Sequence, residues 1–172
     1  MNREEPNEGL QSGVRERLRE HYDQLWSATI EKIRAGKVEV DPTLEARLAD
    51  KRRGLTVIAQ PEQEVQQGMM AFLAELKELE PDQHYYSPAS FHLTVLSLFT
   101  ATIDHGPFFA RKEEYIAAVD AALQNIAPFQ IEFEGITVSP GAVMIQGFFE
   151  DDALNNLRES LRDQLRGHGL AE

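Results

Sequence analysis

The chain has 172 residues, enough for one ordinary domain, and its 42% hydrophobic and 27% charged residues are normal for a globular protein. No run of about 18 apolar residues is present, which excludes a transmembrane helix, and the lack of cysteine excludes disulfides, thiolate metal sites and cysteine nucleophiles. The net charge of −12 lies entirely from Gly54 onward, because the first 53 residues hold 11 basic and 11 acidic side chains.

This acidic balance limits the partners that the chain can have. Nucleic-acid affinity comes mainly from Lys and Arg side chains that neutralise phosphates. We therefore expect no binding of extended nucleic acid, whereas a short substrate with one phosphate is compatible with the charge. The first residues, MNREEPNEGL, lack the apolar core of a secretory signal. We accordingly expect a cytoplasmic protein with no membrane partner.

The first predicted element is a helix that ends near Gly36. Its apolar residues recur at steps of three and four and line one face: Val14, Leu18, Tyr22, Leu25, Trp26, Ile30 and Ile33. This face either packs on the rest of the chain or pairs with a second copy. Asp41-Pro42 predicts the start of a short helix that reaches about Ala49. The sequence thus predicts a helical extension over residues 1–50 and one domain over residues 51–172.

Strands and helices mix in the rest of the chain. Apolar runs and alternation predict strands over residues 55–59, 91–99, 129–138 and 142–149. Helical spacing predicts helices over residues 61–79 and 111–126, and a last helix that Asp151 caps, with a buried stripe of Leu154, Leu157, Leu161 and Leu165. Ser139-Pro140-Gly141 predicts a hairpin turn. This order favours an α+β fold with helices packed on a largely antiparallel sheet.

One short motif contains residue types that catalysis uses. Residues 90–94, SFHLT, open the strongest predicted strand, where alternation places His92 and Thr94 on one face and their apolar neighbours on the other. An imidazole that moves a proton, beside a hydroxyl that holds a non-bridging oxygen, suits a phosphate ester. Taken alone, the tripeptide is equally compatible with a partly buried histidine that is bonded to the backbone.

The surroundings of the motif resemble a known superfamily. DKRRGLTVIAQP, HYYSPASFHLTVLSLF and AVMIQGFFEDDALNNLRESLRDQL are similar to the two-histidine (2H) phosphoesterase superfamily, the 2'-5' RNA ligase-like and cyclic phosphodiesterase group, over about residues 50–170. The resemblance implies a bilobal, LigT-like α+β fold in which each lobe gives one H-x-T/S motif to a central cleft. It also implies hydrolysis of a cyclic or 2'-5' phosphodiester of a nucleotide or RNA end, with His92 as general acid or base, Thr94 as phosphate ligand, and no metal or cofactor.

The chain departs from that pattern because it has one such motif. Four histidines lack Ser or Thr two residues later: His21, His84, His105 and His168. The strand and helix around Pro61 resemble those around Asp151, and the 31-residue spacing from Pro61 to His92 would place a second motif about ten positions beyond Glu172. We therefore expect a truncated chain with an incomplete second lobe, impaired hydrolysis and an open sheet edge that self-associates.

Other candidate residues leave alternatives open. Tyr86, with Tyr85, either stacks on a substrate base or sugar or lies half-buried against the sheet. The basic run 51–53 either attracts a phosphate or is a solvated charge run. His84 and His105 lack partners at metal-ligand spacing, so no metal site is predicted. The alternative function is a non-catalytic one, either a degenerate lobe that binds a nucleotide or small ligand, or a scaffold that binds partners through its N-terminal helix.

Overall fold

The computed structural model describes residues 8–40, 49–124 and 126–170. The helices are α1 (Glu8–Arg34), α2 (Gln63–Leu79), α3 (Gly106–Phe109), α4 (Lys112–Leu123) and α5 (Ala153–Gly167), with a 3₁₀ turn over Pro88–Ser90. The strands are β1 (Arg53–Ala59), β2 (Leu93–Thr102), β3 (Glu132–Ser139) and β4 (Ala142–Phe148). The fold class is therefore α+β, as the order of elements predicts. In the described part of the chain, no helix is long and apolar enough to cross a membrane.

The four strands form two small antiparallel sheets, β1–β2 and β3–β4. The chain divides into two compact units, one built from residues up to 51 and residues 113–170, the other from residues 52–112. The first unit holds α1, α4, α5 and the β3–β4 sheet, and the second holds α2, α3 and the β1–β2 sheet. The N-terminal residues share the first unit with the last strands and helix. The division into an extension over residues 1–50 and a domain over residues 51–172 stays a prediction.

Helix α1 packs on the β3–β4 sheet. Val14 and Thr29 are buried on its inner face. The Tyr22 hydroxyl donates to the Gly147 carbonyl at 3.0 Å and accepts from the Gly147 N–H at 3.1 Å. The Tyr22 ring also meets Phe148 edge-on, with 5.4 Å between ring centroids. Packing of the predicted apolar face on the same chain is therefore confirmed, and pairing of α1 with a second copy stays a prediction.

Arginine side chains of α1 also contact the β3–β4 sheet. Arg15 forms ion pairs with Glu132 and, at 2.8 Å, with Glu134, and its hydrogen bond to Glu132 raises the pKa of the guanidinium. The carboxylates are exposed, so these pairs add little stability by themselves. The guanidinium carbon of Arg15 also lies 4.9 Å from the centroid of the Phe148 ring. The arginine stem and head thus cover an aromatic ring that belongs to the core of this unit.

Replacing Tyr22 with Phe should lower the free energy of unfolding by about 1–3 kcal/mol, because the buried Gly147 loses a hydrogen-bond partner. Urea unfolding, followed by the fluorescence of the single tryptophan, Trp26 of α1, measures this change. Tyr85→Phe is the matched control, because it removes an exposed hydroxyl bond to the Glu80 carbonyl and should change stability by less than about 0.5 kcal/mol. Equal losses in both variants would contradict the role assigned to Tyr22.

The hairpin between β3 and β4 closes with the two residues Pro140 and Gly141, which confirms the predicted turn. Phe133 pairs with Gly147 and Ile136 with Ile145, so β3 carries one extra residue between these pairs. Gly135 lies there with a φ of +75°. A left-handed glycine at an extra residue is a β-bulge, and it increases the local twist of the sheet.

The end of the first helix agrees with the sequence prediction, whereas the N-cap residue of the last helix is Asp152 rather than the predicted Asp151. Gly36 has a φ of +72° just after α1, the conformation that a terminating glycine adopts. At the start of α5, the Asp151 carboxylate accepts a hydrogen bond of 2.9 Å from the Ala153 N–H. The predicted stripe of α5 is confirmed as buried, at 0–5% exposure: Leu154, Leu157, Leu161 and Leu165.

The second unit buries few side chains. In residues 52–112, all of which are described, Met69 and Val95 are the buried apolar side chains. The apolar side of α2 is only partly inside, since Leu79 at its end is 76% exposed. This unit therefore presents apolar surface beside its functional candidates.

Several predicted boundaries differ from the observed ones. Strand β2 begins at Leu93 and continues to Thr102, and α4 ends at Leu123. The four-residue helix α3 was not predicted, because one turn is too short to show a periodic pattern. The predicted helix near residues 42–49 lies mostly outside the described residues.

Candidate functional site

His92 lies directly before β2 and Thr94 is the second residue of that strand, and both are exposed. Between and beside them, Phe91 and Leu93 are half-buried and Val95 is 6% exposed. Exposure therefore alternates along residues 91–95, which confirms the predicted alternation. The two polar side chains lie on the solvent side of the strand, where a substrate can reach them.

The tautomer of His92 follows from one hydrogen bond. Nδ1 lies 2.7 Å from the carbonyl oxygen of Ser90. Because a carbonyl oxygen only accepts, Nδ1 must carry the hydrogen and donate it. In the neutral ring Nε2 is then the unprotonated nitrogen, so it is the atom that gains or loses a proton.

The backbone that holds His92 is itself tied down by the 3₁₀ turn over Pro88–Ser90. The Ser90 N–H and hydroxyl both donate to the Ser87 carbonyl, at 2.9 Å and 2.7 Å. The Phe91 N–H donates to the Pro88 carbonyl at 3.1 Å. Proline restricts φ at the first position of this turn, which favours one conformation. Sequence reasoning missed this support, although Ser87-Pro88 is a recognisable turn signal.

The charge around this site differs from that of the whole chain. Residues 83–103 contain no Asp, Glu, Lys or Arg, and β1 contributes only Arg53. A phosphate that approaches β2 therefore meets no carboxylate from either strand of its sheet. This uncharged run of 21 residues is visible in the sequence and was not used in the prediction.

The pairing of β2 with β1 is irregular beside the motif. Ile58 pairs with Thr94 and Val57 with Leu96, so Val95 is an extra residue on β2. A bulge at this point bends the strand and changes the direction of the side chains that follow it. Such bulges are common next to functional sites, where they direct a side chain.

A groove of about 180 Å³ lies between α2 and the segment that precedes the motif. It is lined by Met70, Leu73, Ala74, Lys77, Tyr85, Tyr86 and Pro88. Both tyrosine rings are held in place, because the Tyr85 hydroxyl donates to the Glu80 carbonyl at 2.9 Å and the His84 ring meets Tyr86 edge-on at 4.8 Å. Tyr86 is 53% exposed, Tyr85 is half-buried, and neither lies in a strand.

The structure assigns different surroundings to the remaining candidates. His105 packs edge-on against Phe109, with 5.5 Å between ring centroids. Lys51 and Arg52 are exposed just before β1. Among the described residues, no three His, Asp or Glu side chains form a group that could hold a metal ion. The arrangement that can do chemistry is therefore His92, just before β2, and Thr94 in β2, with Tyr86 in the groove at the other end of the turn.

Comparison with known proteins assigns the chain to no family. The chain matches no protein-family model. No curated protein and no solved structure is significantly similar to it. The 2H phosphoesterase resemblance, and with it the bilobal LigT-like fold, rests on the H-x-T motif and its surrounding sequence and stays a prediction.

Proposed function

We propose that the chain is a phosphoesterase that hydrolyses a 2',3'-cyclic or 2'-5' phosphodiester of a nucleotide or RNA end by histidine acid–base chemistry. The observation that carries the proposal is the hydrogen bond from Nδ1 of the exposed His92 to the Ser90 carbonyl, which leaves Nε2 available for proton transfer. Thr94, exposed two residues later, supports it as a donor to a phosphate oxygen. A cytoplasmic location belongs to the same proposal.

The proposed reaction on a cyclic phosphate balances as a hydrolysis. A water oxygen attacks the phosphorus while Nε2 of His92 takes the proton of that water. The bond from phosphorus to one ribose oxygen then breaks, and this oxygen takes a proton to give a phosphomonoester. No other histidine of the chain has Ser or Thr two positions later, so in this proposal the departing oxygen is protonated from solvent. We therefore expect slow turnover from the 172-residue chain.

Replacing Thr94 with Val tests the phosphate contact. Valine keeps the β-branched shape of threonine, so the strand should be preserved while the hydroxyl is lost. We expect kcat/KM for 2',3'-cyclic nucleotides to fall by about 10- to 100-fold, since a hydrogen bond to a charged group contributes about 1.5–3 kcal/mol. Product release measured by chromatography gives the rate.

Thr100→Val is the matched control, because Thr100 is also an exposed threonine of β2. This variant should keep the activity of the unmodified chain. A Thr94→Val variant as active as Thr100→Val would remove the hydroxyl from the proposed site.

The groove favours a second candidate function, which is binding of a nucleotide or small ligand without catalysis. Its apolar floor and its two positioned tyrosine rings have the character of a ligand site. The two functions separate in one experiment, because a binding protein retains its nucleotide affinity without releasing product. Self-association through α1 or through a sheet edge stays a prediction.

A further inference from the structure

We infer that the groove beside α2 seats the base of the nucleotide substrate and that it selects guanine. This inference rests on the proposed function, because it names the base of the same substrate. The groove, of about 180 Å³, is mainly apolar, with Met70, Leu73 and Pro88 in its lining. A closed cavity of about 150 Å³ holds benzene, so an open groove of this size takes a flat base with one edge left in solvent.

The tyrosines provide the flat surface that a base needs. The ring of Tyr86 is 53% exposed and is held edge-on by His84. The Tyr85 hydroxyl is anchored on the Glu80 carbonyl, which positions the second ring. Stacking of a base on an aromatic side chain is favourable and tolerates any base. Selectivity must therefore come from the polar group that shares the groove.

That polar group is Lys77. It is the one charged side chain in the lining, and no ion pair joins it to another described residue. An ammonium group has three hydrogen-bond donors and no acceptor. It therefore matches a base edge that presents acceptors and repels an edge that presents an amino group.

Guanine is the base that fits this requirement best. Its N7 and O6 are adjacent acceptors on one edge, and lysine binds them well, whereas adenine places an amino group beside N7 and cytosine presents an amino donor.

The groove and His92 lie close enough for one nucleotide. Pro88 lines the groove, and His92 follows four residues later. The backbone from Pro88 to His92 has two steps in the 3₁₀ turn and two extended steps, so the Cα atoms of these two residues are at most about 11 Å apart. All of these residues belong to the second unit. A base in the groove and a cyclic phosphate at Nε2 can thus be parts of one molecule.

Nucleosides without phosphate test the base site separately from catalysis. We expect guanosine and inosine, which share O6 and N7, to bind about five- to tenfold more tightly than adenosine. NMR titration that follows the amide signals of Tyr85 and Tyr86 measures the dissociation constants. Lys77→Met keeps an apolar stem of similar length and should abolish the preference, whereas Lys32→Met, at an exposed position of α1, should retain it.

The outcomes distinguish this inference from the proposed function. Selective guanosine binding with no hydrolysis of any cyclic nucleotide would support the base site and refute the phosphoesterase. Hydrolysis of cyclic nucleotides together with equal binding of guanosine and adenosine would refute the base site alone. A preference for uridine over guanosine, or a preference that survives Lys77→Met, would also overturn the assignment.

Discussion

Replacing His92 with Ala should lower kcat for hydrolysis of 2',3'-cyclic nucleotides by about 10²- to 10⁴-fold, the usual contribution of a general acid or base. The loss follows from removal of Nε2, the proton-transfer atom that the hydrogen bond to Ser90 defines. The fold should be retained, because His92 is exposed and its hydrogen bond to the Ser90 carbonyl contributes about 1 kcal/mol. Single-turnover assays at high protein concentration give the rates even where turnover is slow.

A second variant separates chemistry from positioning. In His92→Asn the side-chain amide nitrogen takes the place of Nδ1 and can still donate to the Ser90 carbonyl, while no atom replaces Nε2. We expect His92→Asn to be as inactive as His92→Ala, with an unchanged far-ultraviolet circular dichroism spectrum. His168→Ala, which alters an exposed histidine at the end of α5, should be as active as the unmodified chain. Equal rates in the His92 variants and the unmodified chain would remove His92 from the mechanism.

Periodicity predicted most of the fold because each long element carries its own pattern. The apolar stripe from Leu154 to Leu165 and the apolar alternation of β2 identify their elements without knowledge of any neighbour. Contacts between distant residues have no such local signature. The Tyr22 hydroxyl and Gly147 are 125 positions apart, and nothing in either segment indicates that they bond. The packing of α1 on the last hairpin was therefore one of two open alternatives.

The candidate site was predictable to the same extent. Alternation along a strand placed His92 and Thr94 on one exposed face, since that depends on backbone geometry alone. The role of Ser90 depends on how a 3₁₀ turn directs one carbonyl, and the role of Lys77 depends on where a helix lies beside a loop. Both are tertiary features. A lysine near the end of an amphipathic helix is otherwise a favourable residue for the helix dipole and suggests no site.

Replacing Phe148 with Ala should lower the free energy of unfolding by about 3–5 kcal/mol, the largest stability effect expected in the first unit. Phe148 is 1% exposed and lies at the end of β4. Three side chains of α1 contact its ring, namely Tyr22 edge-on at 5.4 Å and the guanidinium carbons of Arg15 and Arg19 at 4.9 Å and 5.4 Å. Truncation removes the buried area of the ring and leaves a cavity that these side chains cannot fill.

Urea unfolding of Phe148→Ala, followed by the fluorescence of Trp26, reports on the helix that loses this contact. Val143→Ala is the matched control on the same strand, because Val143 is 57% exposed and its truncation should cost less than about 0.5 kcal/mol. Phe148→Leu retains most of the apolar volume and should lose about 1–1.5 kcal/mol. This graded series attributes the stability to packing of α1 on β4. A loss below about 1 kcal/mol in Phe148→Ala would show instead that the helix is held mainly by its other contacts, of which the Tyr22 bond to Gly147 is the strongest candidate.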